Sequence, residues 1–497
     1  MIIITTIWYD KKNQISIIIG TRRGGVNKML LTLDESKDRG YLYKQIYEAI
    51  IANILARKIR PNEKLPSKRE LATQLKVSVN TITNAYGQLL AEGYIYTIER
   101  SGYFVEDITP FTYKNQEKKT VIPSDLKEET KEKLRWSSLS HMTADTSMFP
   151  FKEWIKSQQQ AIDHHKEELA VIAHPQGPYT VRDTISRKIA LSRGVVCEPE
   201  QIVISAGTQP LIQQLMELQH KSTIVAIEDP GYSRFYTLLK RMSVNVQPIQ
   251  LDENGVDIKK VEASKANVLI VTPSHQFPTG TIMPISRRIE LLNWAIQEND
   301  RFIIEDDYDS DFKYKTDSIP SLQSLDRNDR VIYTGTFSKS LLPGLRISYM
   351  VLPINILREY RKQYADLMQY SNTIGLYTLH YFIKSGAHAR HIKRMNHHYE
   401  EKRNYLIEQL TEQFKADIII KDIPAGLHFL AKFKTNRSYE DIEYRAKQEE
   451  LEVYSMRRFM LKIQYKEPNF IELVIGFANI RIKEIPESIR KLHRILN

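Results

Sequence analysis

Lys339 is the side chain in this sequence with the clearest capacity for chemistry. It follows a predicted strand, stands among hydroxyls and glycines, and can form a Schiff base with an aldehyde. Asp306 and Tyr308 are two residues apart in the extended segment into which the preceding predicted strand runs, so their side chains project to the same side. A carboxylate there can hold a pyridine nitrogen protonated, and a phenol can hydrogen-bond a ring hydroxyl.

A phosphate site is predicted beside these residues. A Gly-Thr-Gln sequence opens a helix and offers backbone N–H groups and a hydroxyl to an anion, and an arginine with two hydroxyl residues can add charge-assisted hydrogen bonds. The candidate phosphate contacts are Gly207, Thr208, Gln209, Thr336, Ser338 and Arg346. Tyr232 can stack on a planar ring. Pyridoxal phosphate needs all of these groups, and we predict that it is the cofactor.

The carboxylates around Asp306 allow a second interpretation. Asp306, Asp307, Asp309 and Asp311 could instead hold a divalent metal ion. Their position beside a lysine and an arginine favours the cofactor, so we predict no metal site.

Strands of an α/β fold must bring these groups together. Short β-rich runs alternate with helical patterns from residue 136 onward, which is typical of a sheet covered by helices. The predicted strands are residues 201–205, 222–227, 267–271, 301–305, 330–333 and 347–351. Ligands of such sheets lie beyond the carboxyl ends of the strands, where every candidate residue falls.

The first hundred residues show a different pattern. A helix is predicted over residues 41–56, and Ser67 with Glu70 forms a capping box that opens a second helix. Ser78 caps a third helix, and two short strands follow at residues 94–98 and 103–105. This order predicts a winged helix-turn-helix.

The charge of this module supports DNA binding. Residues 41–105 carry nine cationic and five anionic side chains, and one face of the third helix is small and polar, as a groove-reading face requires. The candidate DNA contacts are Lys68, Arg69, Ser78, Asn80, Thr81, Thr83, Arg100, Ser101 and Gly102.

Length and composition set the domain boundaries. The chain has 497 residues, a net charge of +11 and one cysteine, Cys197, so no intrachain disulfide can form, which fits the cytoplasm. No apolar run reaches the ~18 residues that span a bilayer. We predict a DNA-binding domain over residues 29–105, a linker over 106–135 and a cofactor domain over 136–497 whose small subdomain begins near residue 395. Residues 1–28 show no sustained period. We predict that they are not native and that translation starts at Met29; the alternative is a native, flexible arm.

These motifs resemble those of two protein families. The sequence 65–72, followed by Val77-Ser78 and residues 91–94, resembles the GntR family of bacterial regulators, which implies that Arg69 contacts the DNA backbone. Val79 stands where that family often has arginine. Residues 140–490 resemble the fold type I aminotransferases of class I. That resemblance implies a Schiff base at Lys339, with Asp306 on the pyridine nitrogen, Tyr308 on the ring oxygen, and Thr208, Ser338 and Arg346 on the phosphate.

The sequence departs from the aminotransferase pattern at one position. Phe277 replaces the asparagine that normally precedes Pro-Thr-Gly, so one polar contact to the ring is missing or is supplied by a neighbour such as His275. Aminotransferases also place a carboxylate-binding arginine in the small subdomain. Arg458 is our candidate, with Arg457 as its rival, and Arg234 is the expected second carboxylate contact.

The combination of both domains resembles the MocR subfamily of GntR-type regulators, and within it the regulators that respond to γ-aminobutyrate (GABA). The resemblance implies a head-to-tail, domain-swapped homodimer on repeated half-sites of double-stranded DNA. It also implies that an amino-acid effector, expected to be GABA, forms an external aldimine with the cofactor, whereupon the protein activates catabolic genes while it represses its own. We therefore predict a regulator and not an enzyme; the alternative is an active aminotransferase with an appended DNA-binding domain.

Overall fold

A computed structural model describes residues 41–108, 122–127, 136–314, 319–421, 423–462 and 469–497, together with the backbone of three strands before residue 41. The chain divides into two compact units, Met1–Glu128 and Glu129–Asn497. The three early strands, β1 (Ile7–Tyr9), β2 (Gln14–Ile19) and β3 (Met29–Asp34), form an antiparallel sheet in that order. Two of them fall within residues 1–28, where the sequence predicts no element. A start at Met29 stays a prediction that an intact-mass measurement decides.

The winged helix-turn-helix is confirmed in the first unit. Its elements are α1 (Leu42–Leu55), α2 (Lys68–Leu75), α3 (Val79–Ala91), β4 (Ile95–Ile98) and β5 (Gly102–Val105). The Ser67 hydroxyl accepts from the Glu70 N–H at 3.2 Å, and the Glu70 carboxylate accepts from the Ser67 N–H at 3.4 Å. This reciprocal pair satisfies two of the N–H groups that every helix start leaves unpaired, so α2 begins where the sequence predicts.

Tyr86 joins the third helix to the wing. Its hydroxyl donates to the Pro66 carbonyl at 3.0 Å, and its ring packs edge-on against Tyr103 of β5 at 4.9 Å between centroids. Around it lies the apolar core of the unit, which includes Ile46, Ile50, Leu71, Ile82 and Leu89. The wing and α3 therefore share one core.

The second unit is a three-layer α/β structure with a small subdomain. Its strands are β6 (Ser137–Ser138), β7 (Ile202–Ser205), β8 (Ile224–Asp229), β9 (Asn245–Asp252), β10 (Gly255–Val256), β11 (Val268–Val271), β12 (Phe302–Asp307), β13 (Val331–Thr336), β14 (Ser348–Val351), β15 (Ile418–Ile420), β16 (His428–Lys434), β17 (Leu451–Glu452), β18 (Tyr454–Ser455) and β19 (Phe470–Gly476). Its helices are α4 (Phe151–His164), α5 (Lys166–Leu169), α6 (Tyr179–Arg193), α7 (Thr208–Glu217), α8 (Ser233–Arg241), α9 (Ile258–Ala263), α10 (Ile285–Ile296), α11 (Ile354–Tyr364), α12 (Thr373–Lys384), α13 (Ala387–Phe414), α14 (Tyr439–Gln448) and α15 (Ile485–Leu496). Among the described residues, none of the helices is both long and apolar enough to cross a membrane.

The large sheet contains all six predicted strands. Its order is β10-β9-β8-β11-β12-β13-β14-β7, with β9, β8, β11, β12 and β13 mutually parallel and β14 antiparallel to both of its neighbours. Strands β7, β11 and β14 are buried at every position, because helices cover both faces of the sheet. The carboxyl ends of the parallel strands therefore meet at one edge.

The small subdomain is an antiparallel sheet, β15-β16-β19-β18, backed by α13 and α15. The 28-residue α13 begins at Ala387, before the boundary predicted near residue 395. β6 pairs with β17 of this subdomain, and the Leu139 N–H donates to the Glu452 carbonyl at 2.8 Å. The first described residues after 127 are thus built into the small subdomain.

Candidate cofactor and effector site

A cavity opens at the carboxyl edge of the large sheet, with about 800 Å³ of empty space that is partly open to solvent. Ten predicted site residues line it: Gly207, Thr208, Tyr232, Arg234, Asp306, Tyr308, Thr336, Ser338, Lys339 and Arg346. The lining residues that the sequence did not single out as contacts are His141, Met142, Thr272, Phe277, Pro343 and Ser348. The structure thus brings together residues from 141 to 348 of the chain.

Lys339 projects into this cavity three residues after β13 ends. Its Nζ donates a hydrogen bond to the backbone carbonyl of His141. Burial lowers the pKa of the amine to about 8, against the opposing effect of the Asp309 carboxylate. A fraction of the amine is therefore unprotonated near neutral pH, as attack on an aldehyde requires.

Asp306 is a buried carboxyl whose pKa is not lowered by any cation among the described residues. Its Oδ1 accepts from the Thr334 hydroxyl at 2.9 Å, and burial raises its pKa to about 7. The protonated nitrogen of a pyridine ring would supply a positive charge and favour the carboxylate. This environment fits the predicted partner of pyridoxal phosphate.

The predicted phosphate end is shaped by a close approach between two predicted residues. Gly207 has φ +118°, and a Cβ at this position would overlap the Arg346 guanidinium, which donates to the Ala206 carbonyl at 3.0 Å. Only glycine allows the arginine to lie at the start of α7, where backbone N–H groups point out of the helix. Thr208, Thr336 and Ser338 line the same cavity.

Two predicted cofactor contacts lie away from the cavity surface. Gln209 is half-buried in the first turn of α7 and is not part of the lining. His275 lies behind Tyr308: its Nδ1 is 2.9 Å from the Tyr308 hydroxyl and 3.0 Å from Oδ2 of Asp309. Any influence of His275 on a cofactor ring therefore acts through Tyr308.

Phe277 occupies the position of the aminotransferase asparagine and forms an apolar wall. Its ring packs edge-on against Tyr232 and Tyr308, both at 5.9 Å, and against Phe459 at 4.9 Å. The departure noted in the sequence is therefore a packing site that joins the large sheet to the small subdomain.

The acidic run does not converge on one point. Asp307 accepts from Nε of Arg193 at 2.6 Å, and Asp311 pairs with Lys188 at 3.0 Å. His275, Asp309 and His428 do place one potential ligand atom each within 4.8 Å of one another. In that trio Nδ1 of His275 is engaged by Asp309, and Nε2 of His428 lies 3.2 Å from the Pro278 carbonyl. The described hydrogen bonds join Tyr308, His275 and Asp309, whereas the buried Nε2 of His275 has no partner among the described residues.

The two candidate arginines of the small subdomain differ in their surroundings. Arg457 forms an ion pair with Glu440, whereas the guanidinium of Arg458 lies 4.5 Å from the centroid of the Tyr454 ring. Arg458 and Arg234 both act electrostatically on His141, a cavity-lining residue. These surroundings favour Arg458 over Arg457 as the arginine near the cavity.

The predicted DNA contacts occupy the outer side of α3, the start of α2 and the wing. Asn80 and Arg69 are exposed. The Ser78 hydroxyl caps α3 by accepting from the Thr81 N–H at 3.1 Å and lies 2.8 Å from the Thr81 hydroxyl, so these two residues support the helix start. Arg100 stands at the wing tip with 92% of its side chain exposed.

Comparison with known proteins identifies the family. The model of aminotransferase class I and II matches residues 131–459, and that of the bacterial regulatory proteins of the gntR family matches residues 42–105. The chain belongs to the first family, whose match covers more than half of it, and carries a gntR-type domain at residues 42–105. The uncharacterized HTH-type transcriptional regulator YdeL of Bacillus subtilis is 38% identical over 91% of this chain and 96% of its own length. The probable rhizopine catabolism regulatory protein MocR of Rhizobium meliloti is 28% identical over 93% of this chain and 95% of its own.

The solved structures agree on the fold. A kynurenine aminotransferase of Pyrococcus horikoshii has a TM-score of 0.65 and 22% identity, over 73% of this chain and 90% of its own. The cofactor domain therefore has the fold type I architecture. Its match to aminotransferase class I and II makes pyridoxal phosphate its cofactor. This MocR-type regulator combines that fold with a winged helix, as the sequence predicts.

Proposed function

We propose that this MocR-type regulator senses a small amino acid with an amine at one end and an anionic group at the other, with GABA as the first candidate. The observation that carries the proposal is the cavity itself, where the Lys339 amine and the Arg234 guanidinium face one space and Arg458 lies near it. When bound, pyridoxal phosphate supplies an aldehyde that condenses with primary amines. The arginines then select amines that also carry a carboxylate or sulfonate.

Residues 136–142, the lead-in segment, offer a path from the cavity towards the linker. Lys339 donates to the carbonyl of His141, and three residues earlier β6 pairs with β17. Loss of the Lys339 hydrogen bond would release the His141 end of the lead-in segment, whereas the other end would stay paired with β17. An effector can shift the protein between two states only by the difference in its affinity for them. The arginines supply that difference when they lie closer to the effector's anionic group in one state than in the other.

We further propose that the regulator acts in the cytoplasm as a head-to-tail homodimer on two half-sites, activating catabolic genes and repressing its own. The resemblance to MocR-type regulators supports these assignments. Insertion of 5 base pairs between half-sites should abolish dimeric binding, while insertion of 10 should restore much of it, because the second half-site returns to the same side of the duplex. Equal affinity for all three spacings would contradict a rigid two-site dimer.

The test of the sensor function is an absorbance titration of the purified, cofactor-loaded protein. GABA, β-alanine and taurine are added in turn, and operator affinity is measured at saturating and zero effector. We expect a saturable spectral change and a changed DNA complex with at least one of them. Absence of any response from the whole panel would overturn the proposal.

A working aminotransferase is the second candidate, because the site retains Lys339, Asp306, Tyr308 and Arg346 together. Incubation with an amino donor and a 2-oxo acid separates the two functions. Sustained release of a new 2-oxo acid would show an enzyme, whereas a stable spectral change without turnover supports the regulator.

A further inference from the structure

The third helix of the winged helix carries no charge, although the module around it is basic. None of the residues Val79–Ala91 is charged, whereas residues 41–105 as a whole carry nine cationic and five anionic side chains. The buried face of α3 consists of Ile82, Ala85, Tyr86 and Leu89. On the opposite face, Asn80 and Asn84 are exposed one turn apart. The outer face of α3 is therefore polar but neutral.

Val79 is an exposed aliphatic residue at the first position of this helix, with 45% of its surface accessible. Two of its neighbours are committed to the helix cap, because the hydroxyls of Ser78 and Thr81 lie 2.8 Å apart and the first accepts from the N–H of the second. The first turn thus presents the methyl groups of Val79 and the amide of Asn80 to a partner.

Gly87 makes the same face shallow. It lies seven residues after Asn80, two helical turns further along, and is exposed. A Cβ built at Gly87 meets nothing within 4 Å, so packing among the described residues does not require glycine there. Glycine in the middle of a helix is less stable than alanine. Close approach of a second molecule to the helix backbone gives the glycine a reason.

The absence of charge from α3 restricts which bases it can read. In the major groove, guanine is read by arginine or lysine and cytosine by carboxylates, whereas adenine is read by asparagine or glutamine and the thymine methyl by apolar contact. The helix offers only the second pair of contacts. The N-terminal residues of such a helix are the ones that reach base edges.

We propose that α3 reads A·T base pairs, with Asn80 hydrogen-bonding an adenine and Val79 packing on the methyl group of a thymine. The proposal rests on DNA binding by the winged helix. The cations at the start of α2 and at the wing tip lie outside α3 and act on phosphates, which supply affinity without sequence information. Affinity and base selection are thus divided between charged and neutral residues.

The test begins with full-length, cofactor-loaded protein, which selects duplexes from a pool with a randomised core. The most enriched duplex is the probe, and its thymines are replaced one at a time by deoxyuridine, which removes only the methyl group. At one thymine of a half-site we expect binding by the wild type to weaken about three- to fivefold, the effect of one buried methyl group. Val79→Ala should respond to the same replacement by less than about twofold.

Val196→Ala is the matched control, because Val196 is an exposed valine of the cofactor domain; this variant should respond to deoxyuridine as the wild type does. Asn80 is tested with 7-deazaadenine, which lacks the N7 acceptor. This base should weaken the wild type about tenfold and leave Asn80→Ala unchanged, while Asn80→Gln, which keeps the amide, should retain part of the response. Circular dichroism establishes that each variant is folded.

Two results would overturn the assignment while DNA binding stands. One is a set of enriched half-sites without A·T pairs in common, and the other is a deoxyuridine effect that is as large in Val79→Ala as in the wild type at every thymine. Failure to enrich any duplex would overturn DNA binding itself, and the assignment with it.

Discussion

The cavity has two walls that are built in different ways. The first wall, which we call the cofactor wall because the sequence predicts that it holds the cofactor, consists of Gly207, Thr208, Asp306, Ser338, Lys339 and Arg346. The other wall contains His141, Arg234, Phe277 and Arg458, and we call it the effector wall because we propose that its two arginines bind the effector. The first wall follows the strand ends of one sheet. The second takes one residue each from the lead-in segment, α8, the loop after β11 and the small subdomain.

The walls also differ in how their polar groups are occupied. On the cofactor wall, Asp306 accepts from Thr334, and Arg346 donates to a backbone carbonyl. On the effector wall, Nδ1 of His141 is unpartnered within the described residues. Arg234 and Arg458 are exposed. A cofactor that stays bound favours a preformed site, whereas a ligand that must shift an equilibrium favours groups that change partners.

The largest effect is expected from Lys339→Ala. Without the amine, no Schiff base to the protein can form, so the absorbance band of that Schiff base and the effector response of the DNA complex should both be lost. Operator binding without effector should persist, because the winged helix has its own core. Lys240→Ala is the control, since Lys240 is an exposed lysine of the same domain. An effector response that survives in Lys339→Ala would remove the lysine from the switch.

The next effect comes from Gly207→Ala, which tests whether the cofactor wall is preformed. The new Cβ would overlap the Arg346 guanidinium and force alanine into a positive φ. Cofactor affinity should fall by at least ~100-fold, about 3 kcal/mol, measured by equilibrium dialysis. Gly344→Ala, two residues before the same arginine, meets nothing within 4 Å and should bind the cofactor normally. Equal affinities in the two variants would mean that Arg346 can move freely.

The cofactor wall could be predicted from the sequence because its chemistry follows strand ends in chain order. All six predicted strands form, and the residues after them meet at the cavity. β9 was not predicted, because Pro248 interrupts its pattern and polar residues alternate along it. The proline is tolerated because the strand lies near the sheet edge, between β8 and the two-residue β10.

The effector wall could be predicted only in part, because no local period relates its members. The resemblance to aminotransferases is what predicts Arg234 and Arg458 as carboxylate contacts. Phe277 stands out in the sequence only as a departure from that resemblance. The spacing of His141 from its neighbours in the sequence does not indicate a site residue. It precedes the first long helix of the domain, and its position in the fold is set by the pairing of β6 with β17. That pairing joins residues more than 300 positions apart, which a pattern of strands and helices does not specify.

Arg458→Ala tests the effector wall directly. Loss of one charged contact to the anionic group should weaken GABA by roughly 10- to 100-fold, about 1.5–3 kcal/mol, in the absorbance titration. Cofactor absorbance should not change. Arg457→Ala is the matched control, because its guanidinium is paired with Glu440. If Arg457→Ala weakened GABA binding and Arg458→Ala did not, the roles of the two arginines would be exchanged.

The smallest effect concerns Asp306 in the cofactor-free protein. Because its folded pKa is raised to about 7 by burial, the folded state holds a proton that the unfolded state has lost between about pH 4 and 7. Stability from this group therefore falls as pH rises through that range. An asparagine side chain at this position would keep an oxygen to accept from Thr334 but carry no charge, so Asp306→Asn should stabilise the cofactor-free domain about 1–2 kcal/mol more at pH 8 than at pH 6.

Thermal melting at both pH values measures this difference, with Asp366→Asn, the same change at an exposed site, as the control. In the cofactor-loaded protein the sign should reverse, because a protonated ring nitrogen stabilises the carboxylate and asparagine cannot replace that charge. A stabilisation by Asp306→Asn that persists with cofactor bound would show that Asp306 does not face the ring nitrogen. The cofactor wall would then be preformed around a different orientation of the ring.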